Sequence, residues 1–354
     1  MIKRIKELQS KLDALNVDAV YLASAVSHRY FTTFDNPDAH LLITKERAYA
    51  FEDFRYTEVA NNTLAGIYTV LSPRRDFTAQ LNEIFAEDGI KRLGYENLVM
   101  CVERYDYYKS SLNVELVKIN DVINKMREVK SNEEIEKIRE AQRVTDLAFE
   151  HMLKMLTPNM TENDVAAELE YIMRKNGAED KSFETIAVSG KKSSMPHGVP
   201  SSVKLSHGFL TMDFGALYEG YHSDMTRTVS IGKADEEMKK LYNTVLKAQT
   251  SALEMLKAGV TGAEADKVAR DIIYVDYEGY FGHSLGHGVG LEIHERPNLS
   301  YINDKPLVPG NIVTVEPGIY ISNKYGCRIE DMVLITENGI MNFTKSPKEL
   351  IEIF

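Results

Sequence analysis

Three of the chain's nine histidines and four of its 21 glycines fall in one stretch, FGHSLGHGVGLEIHE, residues 281–295. His283 and His287 stand four apart, which on a helix would make a metal-binding pair. Gly282, Gly286, Gly288 and Gly290, however, are poor helix residues. The alternation of Val289, Leu291 and Ile293 with Gly290, Glu292 and His294 predicts a strand. The histidines are therefore expected on a strand and a glycine loop, where side chains and a substrate backbone can approach closely. Two acid pairs supply the rest of the chemistry. TMDFGALYEGYHSDMTRT reads as a hairpin turning around residues 218–220, with Asp213 and Asp224 within about a residue of directly opposite each other. VTVEPGIYISNKYGCRIED reads as a second hairpin turning at Asn323 and Lys324, with Glu316 facing Glu330. Paired positions on one face bring side chains about 5 Å apart, and like charges there are destabilising. Buried carboxylates either take up protons or bind cations. Four carboxylates balance two divalent ions, so the set suits a two-metal centre with His287 as fifth ligand. His28, His40 and His151 show no partner in the sequence, His207 in KLSHGFL reads as a turn residue, and all four are expected to be structural.

The elements that must hold these residues are legible in outline. With 354 residues, the chain has two-domain length. It is 44% hydrophobic and 27% charged, an ordinary globular mix. A net charge of −11 argues against nucleic acid as a partner. Cys101 and Cys327 offer no disulfide framework. The N-terminal MIKRIKELQSKLDAL lacks a signal peptide's apolar core, and no apolar run reaches the roughly 18 residues of a membrane span. The expectation is a cytoplasmic protein with no membrane partner. IKRIKELQSKLDALN has helical spacing, and DAVYLAS, HLLIT, AYAFED, KRLGYE and VELVKI read as strands of one sheet. Residues 1–122 are therefore expected to form a small α/β domain. A boundary near residues 120–130 leads into REVKSNEEIEKIREAQ, a helix that Ser131 and Glu134 can cap, with Ile135, Ile138 and Leu147 on or near one face. Residues 123–354 are expected to form an α+β domain with an internal repeat at an offset of 100. HMLKMLTPNMTENDVAAELEYIMRKNG aligns with SALEMLKAGVTGAEADKVARDIIYVDYEG, and Thr161 and Thr261 both look like helix caps with an acid three residues on. A site is expected between the two halves.

At these residues the chain resembles the pita-bread metallopeptidases: prolidase, aminopeptidase P, methionine aminopeptidase and creatinase. The resemblance covers nearly the whole chain and is strongest to the prolidase and aminopeptidase P branch, in its short bacterial form. MPHGVPSS, MDFGALYEGYHSDMTRTV, GHSLGHGVGLEIHE, VTVEPGIYI and RIEDMVLIT stand in that branch's order, and FEDFRYTEVA resembles its small domain. The resemblance implies a creatinase/prolidase-like N-terminal domain before a pita-bread catalytic domain with a pseudo-two-fold repeat. It implies Asp213, Asp224, His287, Glu316 and Glu330 as metal ligands, and His197 and His294 as contacts to substrate and tetrahedral intermediate. It implies Arg328, on the strand face of Glu330, as a supporting arginine. His283 stands beside the site, in a substrate-pocket or a local structural role. Thr226 and Thr314 share strand faces with Asp224 and Glu316, either bonding a ligand or serving as β-branched strand residues. The implied activity is hydrolysis of Xaa–Pro bonds, using two divalent ions, Mn²⁺ before Co²⁺ or Zn²⁺, with Glu316 shuttling the proton. A homodimer is implied as well. The loop NLSYINDKPLVPG offers Lys305 but no arginine for a dipeptide's carboxylate, with Arg296 just upstream. That favours an Xaa-Pro aminopeptidase over an Xaa-Pro dipeptidase. The chain departs from the family pattern at Thr33–Phe34, where a Gly–Phe pair is usual. A non-enzymatic binding protein on the same fold is the rival reading, and the intact five-residue ligand set weighs against it.

Overall fold

Short apolar runs in the first third form strands, and the helical runs between them cover the sheet they make. The computed structural model describes residues 1–119 and 121–354, in two compact units, Met1–Ile123 and Asn124–Phe354. Asn120, at the edge of the expected boundary, lies outside the described residues. In the first unit the strand order is Thr69–Leu71, Ala48–Phe51, His40–Thr44, Ala19–Leu22, Arg92–Tyr95, Glu115–Lys118. The sheet is mixed: Ala19–Leu22 runs antiparallel to His40–Thr44 and parallel to Arg92–Tyr95. Its edge strand Thr69–Leu71 was not expected from the sequence. It is three residues long and only half-buried, so it has no apolar alternation to read. Leu42, Phe51, Leu81, Phe85 and Leu93 form part of the core. The two histidines here are structural. His28 Nε2 lies 2.8 Å from Glu52 Oε1, and His40 stacks between Tyr21 and Phe77.

In the second unit each half packs a helix pair on its own sheet. Helices Asn132–Met155 and Glu162–Lys175 share a core with strands Gly208–Phe214 and Met225–Ile231. Helices Glu236–Met255 and Gly262–Tyr277 share a core with strands Ile312–Val315 and Asp331–Ile335. The repeat extends to detail. Thr161 with Asp164 and Thr261 with Glu264 form capping boxes, each satisfying two orphan donors. Ser131 and Glu134 form a third. On that long helix the buried face is Ile138, Ala141, Val144, Ala148 and Met152. Ile135 and Leu147, expected on it, are only half-buried, because the buried stripe follows the 3.6-residue period through the alanines. Neither cysteine is bonded to the other: Cys101 is exposed and Cys327 buried. Among the described residues no helix is long and apolar enough to cross a membrane.

Thr33 closes helix Ala25–Thr32 in the left-handed region, φ 74° and ψ 4°. A β-branched residue is strained there, and glycine is the usual occupant of such a helix end. Thr33→Gly is expected to stabilise the first unit by roughly 1 kcal/mol, the order of the left-handed penalty for a residue with a Cβ. Urea unfolding checks it, and an unchanged or lowered midpoint contradicts the strain.

Candidate functional site

The strands that carry the acids are buried on both faces. In Gly208–Phe214, Leu210, Met212 and Phe214 belong to the core against the first helix pair. Strand alternation then turns Thr211 and Asp213 the other way. In Ile312–Val315, Val313 and Val315 join the second core, and Thr314 turns away with Glu316 next in phase. The two inner faces are thus polar. Register decides which side chains meet. Tyr218 pairs with Tyr221 across a turn of Glu219 and Gly220, and Asp213 stands opposite Thr226. Asp224 is therefore two residues from directly opposite Asp213, a diagonal neighbour on the same face, where the sequence predicted near-direct opposition. In the second half, Val315 pairs with Asp331 and Gly318 with Arg328. One register runs through both ladders and sets Glu316 opposite Glu330.

The strand expected at residues 289–294 is not formed. The strand is Gly286–Gly288, and residues 289–294 bend before strand Glu295–Leu299 begins. The Val289–Leu291–Ile293 alternation is genuine, but after Val289 N, which still donates to Ile312 O at 3.2 Å, the backbone leaves the ladder: Gly290 O accepts from His222 N at 2.9 Å. Gly286 and Gly288 serve close approach. A Cβ on Gly286 would collide with the Thr314 carbonyl, and one on Gly288 with the backbone of Arg296.

Asp224, His287 and Glu330 each offer a ligand atom, all within 4.8 Å of one another. His287 Nε2 lies 3.4 Å from Asp224 Oδ2 and 3.3 Å from Glu316 Oε1. His287 Nδ1 is 3.1 Å from the Gly288 carbonyl, which only accepts, so Nδ1 carries a proton and Nε2 is the nitrogen turned to the carboxylates, a donor to them while protonated and a ligand atom once a cation takes that proton's place. A lone pair facing carboxylate oxygens is repulsive unless a proton or a cation intervenes. Asp213 Oδ1 and Glu330 Oε1 are buried without a hydrogen-bond partner. Burial, then the charges of Asp213 and Glu316, push the Asp224 carboxyl well above its usual range. Burial, then Asp224, Glu316 and Asp213, do the same to Glu330. Burial also raises Glu316, against the pull of His287 and Arg328. Oxygen-rich donors with one imidazole, orphaned oxygens and mutual repulsion fit divalent cations.

Arg328 donates to Asp213 Oδ2, to Thr226 Oγ1 at 3.0 Å and to the Tyr320 hydroxyl at 2.6 Å. Thr226 Oγ1 donates to Glu330 Oε2 at 2.7 Å, and so bonds the acid of the other half rather than Asp224. Thr314 Oγ1 donates to Glu316 Oε1 at 3.2 Å and accepts from His287 N at 3.1 Å. His283 Nδ1 donates to the Ser284 carbonyl at 2.9 Å, and its Nε2 lies 3.0 Å from the Tyr320 hydroxyl. Burial and the neighbouring Arg328 push His283 down to about 4, so it is neutral and accepts from Tyr320. A cavity of about 730 Å³ opens over the acids, with His197, Val199, Pro200, Ile293 and His294 among its walls. His197 and His294 are exposed to it, and the His294 ring stands edge-on to His287 at 4.3 Å. Lys305 is exposed elsewhere and Arg296 lines a separate side cavity, so the structure brings neither to this wall. His151 pairs with Glu168 at 2.7 Å and His207 bonds the Lys233 carbonyl at 3.0 Å, both away from the site.

Three supports escaped the sequence reading. Tyr320 bridges Arg328 and His283. Asp266 accepts from Leu285 N while Arg270 donates to the Phe281 and His283 carbonyls, so one helix pair of charges holds the histidine loop. Arg227, fully buried, donates to the Glu330 carbonyl at 2.5 Å and to Asp331 at 2.8 Å. Only Arg227 left a signal: a lone charge in a strand of hydroxyl and apolar residues, MTRTVSI.

Residues 136–337 match the model of metallopeptidase family M24, and residues 4–129 match the creatinase/prolidase N-terminal domain. The chain is 39% identical to an Xaa-Pro dipeptidase of Pyrococcus horikoshii over 99% of each protein. It superposes on the structure of an Xaa-Pro dipeptidase from Bacillus anthracis with TM-score 0.96, at 41% identity and 99% coverage of both chains. An X-Pro aminopeptidase from Thermotoga maritima gives TM-score 0.91 at 37% identity, covering 99% of this chain and all of that one (100%).

Because Asp224, Glu330 and Glu316 hold protons more tightly folded than unfolded, the metal-stripped protein loses stability as pH rises from the unfolded carboxylate range, about 4, through their raised folded values. Bound cations remove that loss. Thermal unfolding with and without Mn²⁺ at pH 5 and pH 8 is expected to show a gap that widens with pH, about 2.7 kcal/mol once free cation reaches 100 times its dissociation constant. A gap independent of pH contradicts the site.

Proposed function

The chain belongs to metallopeptidase family M24, with a creatinase/prolidase N-terminal domain before a pita-bread catalytic domain, and from that premise we propose a dinuclear-metal exopeptidase acting on Xaa–Pro bonds. The observation that carries the reading is the gathering of Asp224, Glu316 and Glu330 about His287, with Asp213 close enough to act on all three acids, beneath an open cavity. Those five residues are the ones that would hold two divalent cations, Mn²⁺ by the oxygen-rich donor set, and the cations would supply an activated water and polarise the scissile carbonyl. The chain's own groups do the rest. Glu316, which lines the cavity beside His287, takes the proton from the attacking water and passes it to the proline nitrogen. His197 and His294, exposed at the cavity wall, donate to the oxyanion. Arg328 and Thr226 fix Asp213 and Glu330 through their free hydrogen-bonding capacity, and Thr314 fixes Glu316. The apolar wall of Val199, Pro200 and Ile293 suits a ring whose tertiary amide has no N–H to offer. The same reading makes the protein a homodimer, on the family resemblance alone, and a cytoplasmic one, on the cysteine usage and composition of the sequence.

Two substrate lengths compete. Among the described residues, Arg328 is the one guanidinium or ammonium lining the cavity, and it is committed to Asp213 and Tyr320. That favours peptides continuing past proline. The 38–41% identical relatives named Xaa-Pro dipeptidase favour the dipeptide at least as strongly. Mn²⁺-loaded protein assayed on Ala-Pro and Ala-Pro-Pro-Ala side by side separates them: alanine released mainly from the longer peptide identifies an aminopeptidase, cleavage of Ala-Pro alone a dipeptidase, and turnover of neither overturns the Xaa–Pro assignment. Glu316→Gln is expected to lower turnover by roughly 10²–10⁴-fold at equal metal content. Wild-type-like activity there removes Glu316 from the proton path.

A further inference from the structure

His294 has space on two sides. It lines the main cavity and also a side cavity of about 270 Å³. Among the described residues its ring makes no hydrogen bond, and its one ring contact is the edge-on approach to His287. Packing therefore does not fix it, and residues 289–294 belong to no strand ladder. What is fixed is the next residue. The Glu295 side chain is only 7% exposed and takes Arg127 Nη2 at 2.5 Å on Oε2 and Lys130 Nζ at 2.7 Å on Oε1. Arg127 and Lys130 are themselves buried, and Arg127 also pairs with Glu292 at 2.8 Å. Burial disfavours the Glu295 carboxylate, but Lys130 and then Arg127 outweigh it and hold the carboxyl below its usual range. The carboxylate lies against Gly290, where a Cβ would collide with it. The segment is thereby tied at Gly290, Glu292 and Glu295, with His294 between the ties.

We propose that Arg127 and Lys130 are positioning residues that act through Glu295 to hold the His294 ring over the acids. Neither lines the main cavity, so neither touches substrate. The inference rests on the oxyanion role given to His294 above, but its test does not. In full-length protein with labelled histidines, stripped of metal, the His294 ring signal is assigned by its loss in His294→Gln. Arg127→Met is expected to shift or broaden that signal and to leave His28 and His151 unmoved. Arg127→Lys, which keeps the charge and loses the fork, is expected to recover it in part, and gives the same test should Arg127→Met not fold. In Mn²⁺-loaded protein, Arg127→Met is expected to lower kcat about tenfold, part of the roughly 10²–10³ that loss of an oxyanion donor costs. KM stays within twofold, and His294→Gln with Arg127→Met is no slower than His294→Gln alone. An unmoved His294 signal, or losses that multiply in the double variant, overturns the positioning role. Wild-type turnover in His294→Gln overturns the oxyanion reading instead, and the ring signal still decides the clamp.

Discussion

Four carboxylates around one imidazole nitrogen repel one another, and the catalytic unit is organised around keeping them together. Within the 4.8 Å that contains the Asp224, His287 and Glu330 donor atoms, the two carboxylates, if both ionised, repel by about 3–4 kcal/mol at an effective dielectric of 20. That one pair is already a large share of the whole stability of a domain, about 5–15 kcal/mol, and Asp213 and Glu316 add their charges to it. Either the acids carry protons or cations neutralise them. Asp213 Oδ1 and Glu330 Oε1 are buried without a hydrogen-bond partner, so neutralisation by cations is the arrangement that also satisfies these oxygens.

The fold delivers this through strands with two unlike buried faces. One face of each inner strand is apolar and packs on a helix pair; the other carries the acids and threonines. Because the unit repeats that plan, each half contributes one acid pair, and the halves are stitched across the site. Thr226 of the first half bonds Glu330 of the second, and Arg328 of the second bonds Asp213 of the first. Arg328 is the hub, since it also holds Tyr320 and through it His283. Those cross-bonds fix the orientation of the very oxygens whose repulsion they must withstand.

The histidines are held differently. His287 is pinned by its own strand, with Gly286 and Gly288 letting neighbouring backbones close in. His283 is fixed by Tyr320 and by the Asp266–Arg270 pair on the loop backbone. His294 hangs from a bent segment between two cavities, where ion pairs replace packing.

The sequence by itself determined the residue types of the site, the two hairpins and the repeat. Each of these is local: a turn centre, a period of two, a cap three residues from its acid. Thr161–Asp164 and Thr261–Glu264 could be read because a capping box is complete within four residues. Tertiary structure alone decided what those residues do to one another. Strand register put Thr226, and not Asp224, opposite Asp213, since a one-residue shift of the turn centre, which moves the partner by two, is invisible in the sequence. It ended the strand at Gly288, because the backbone from Gly290 on turned to partners outside the ladder, His222 and Glu292. It kept Lys305 and Arg296 off the wall of the main cavity and brought Tyr320, Asp266 and Arg127 to their posts from distant positions. Such contacts depend on where separate elements come to rest, and that is set by the packing of the whole chain.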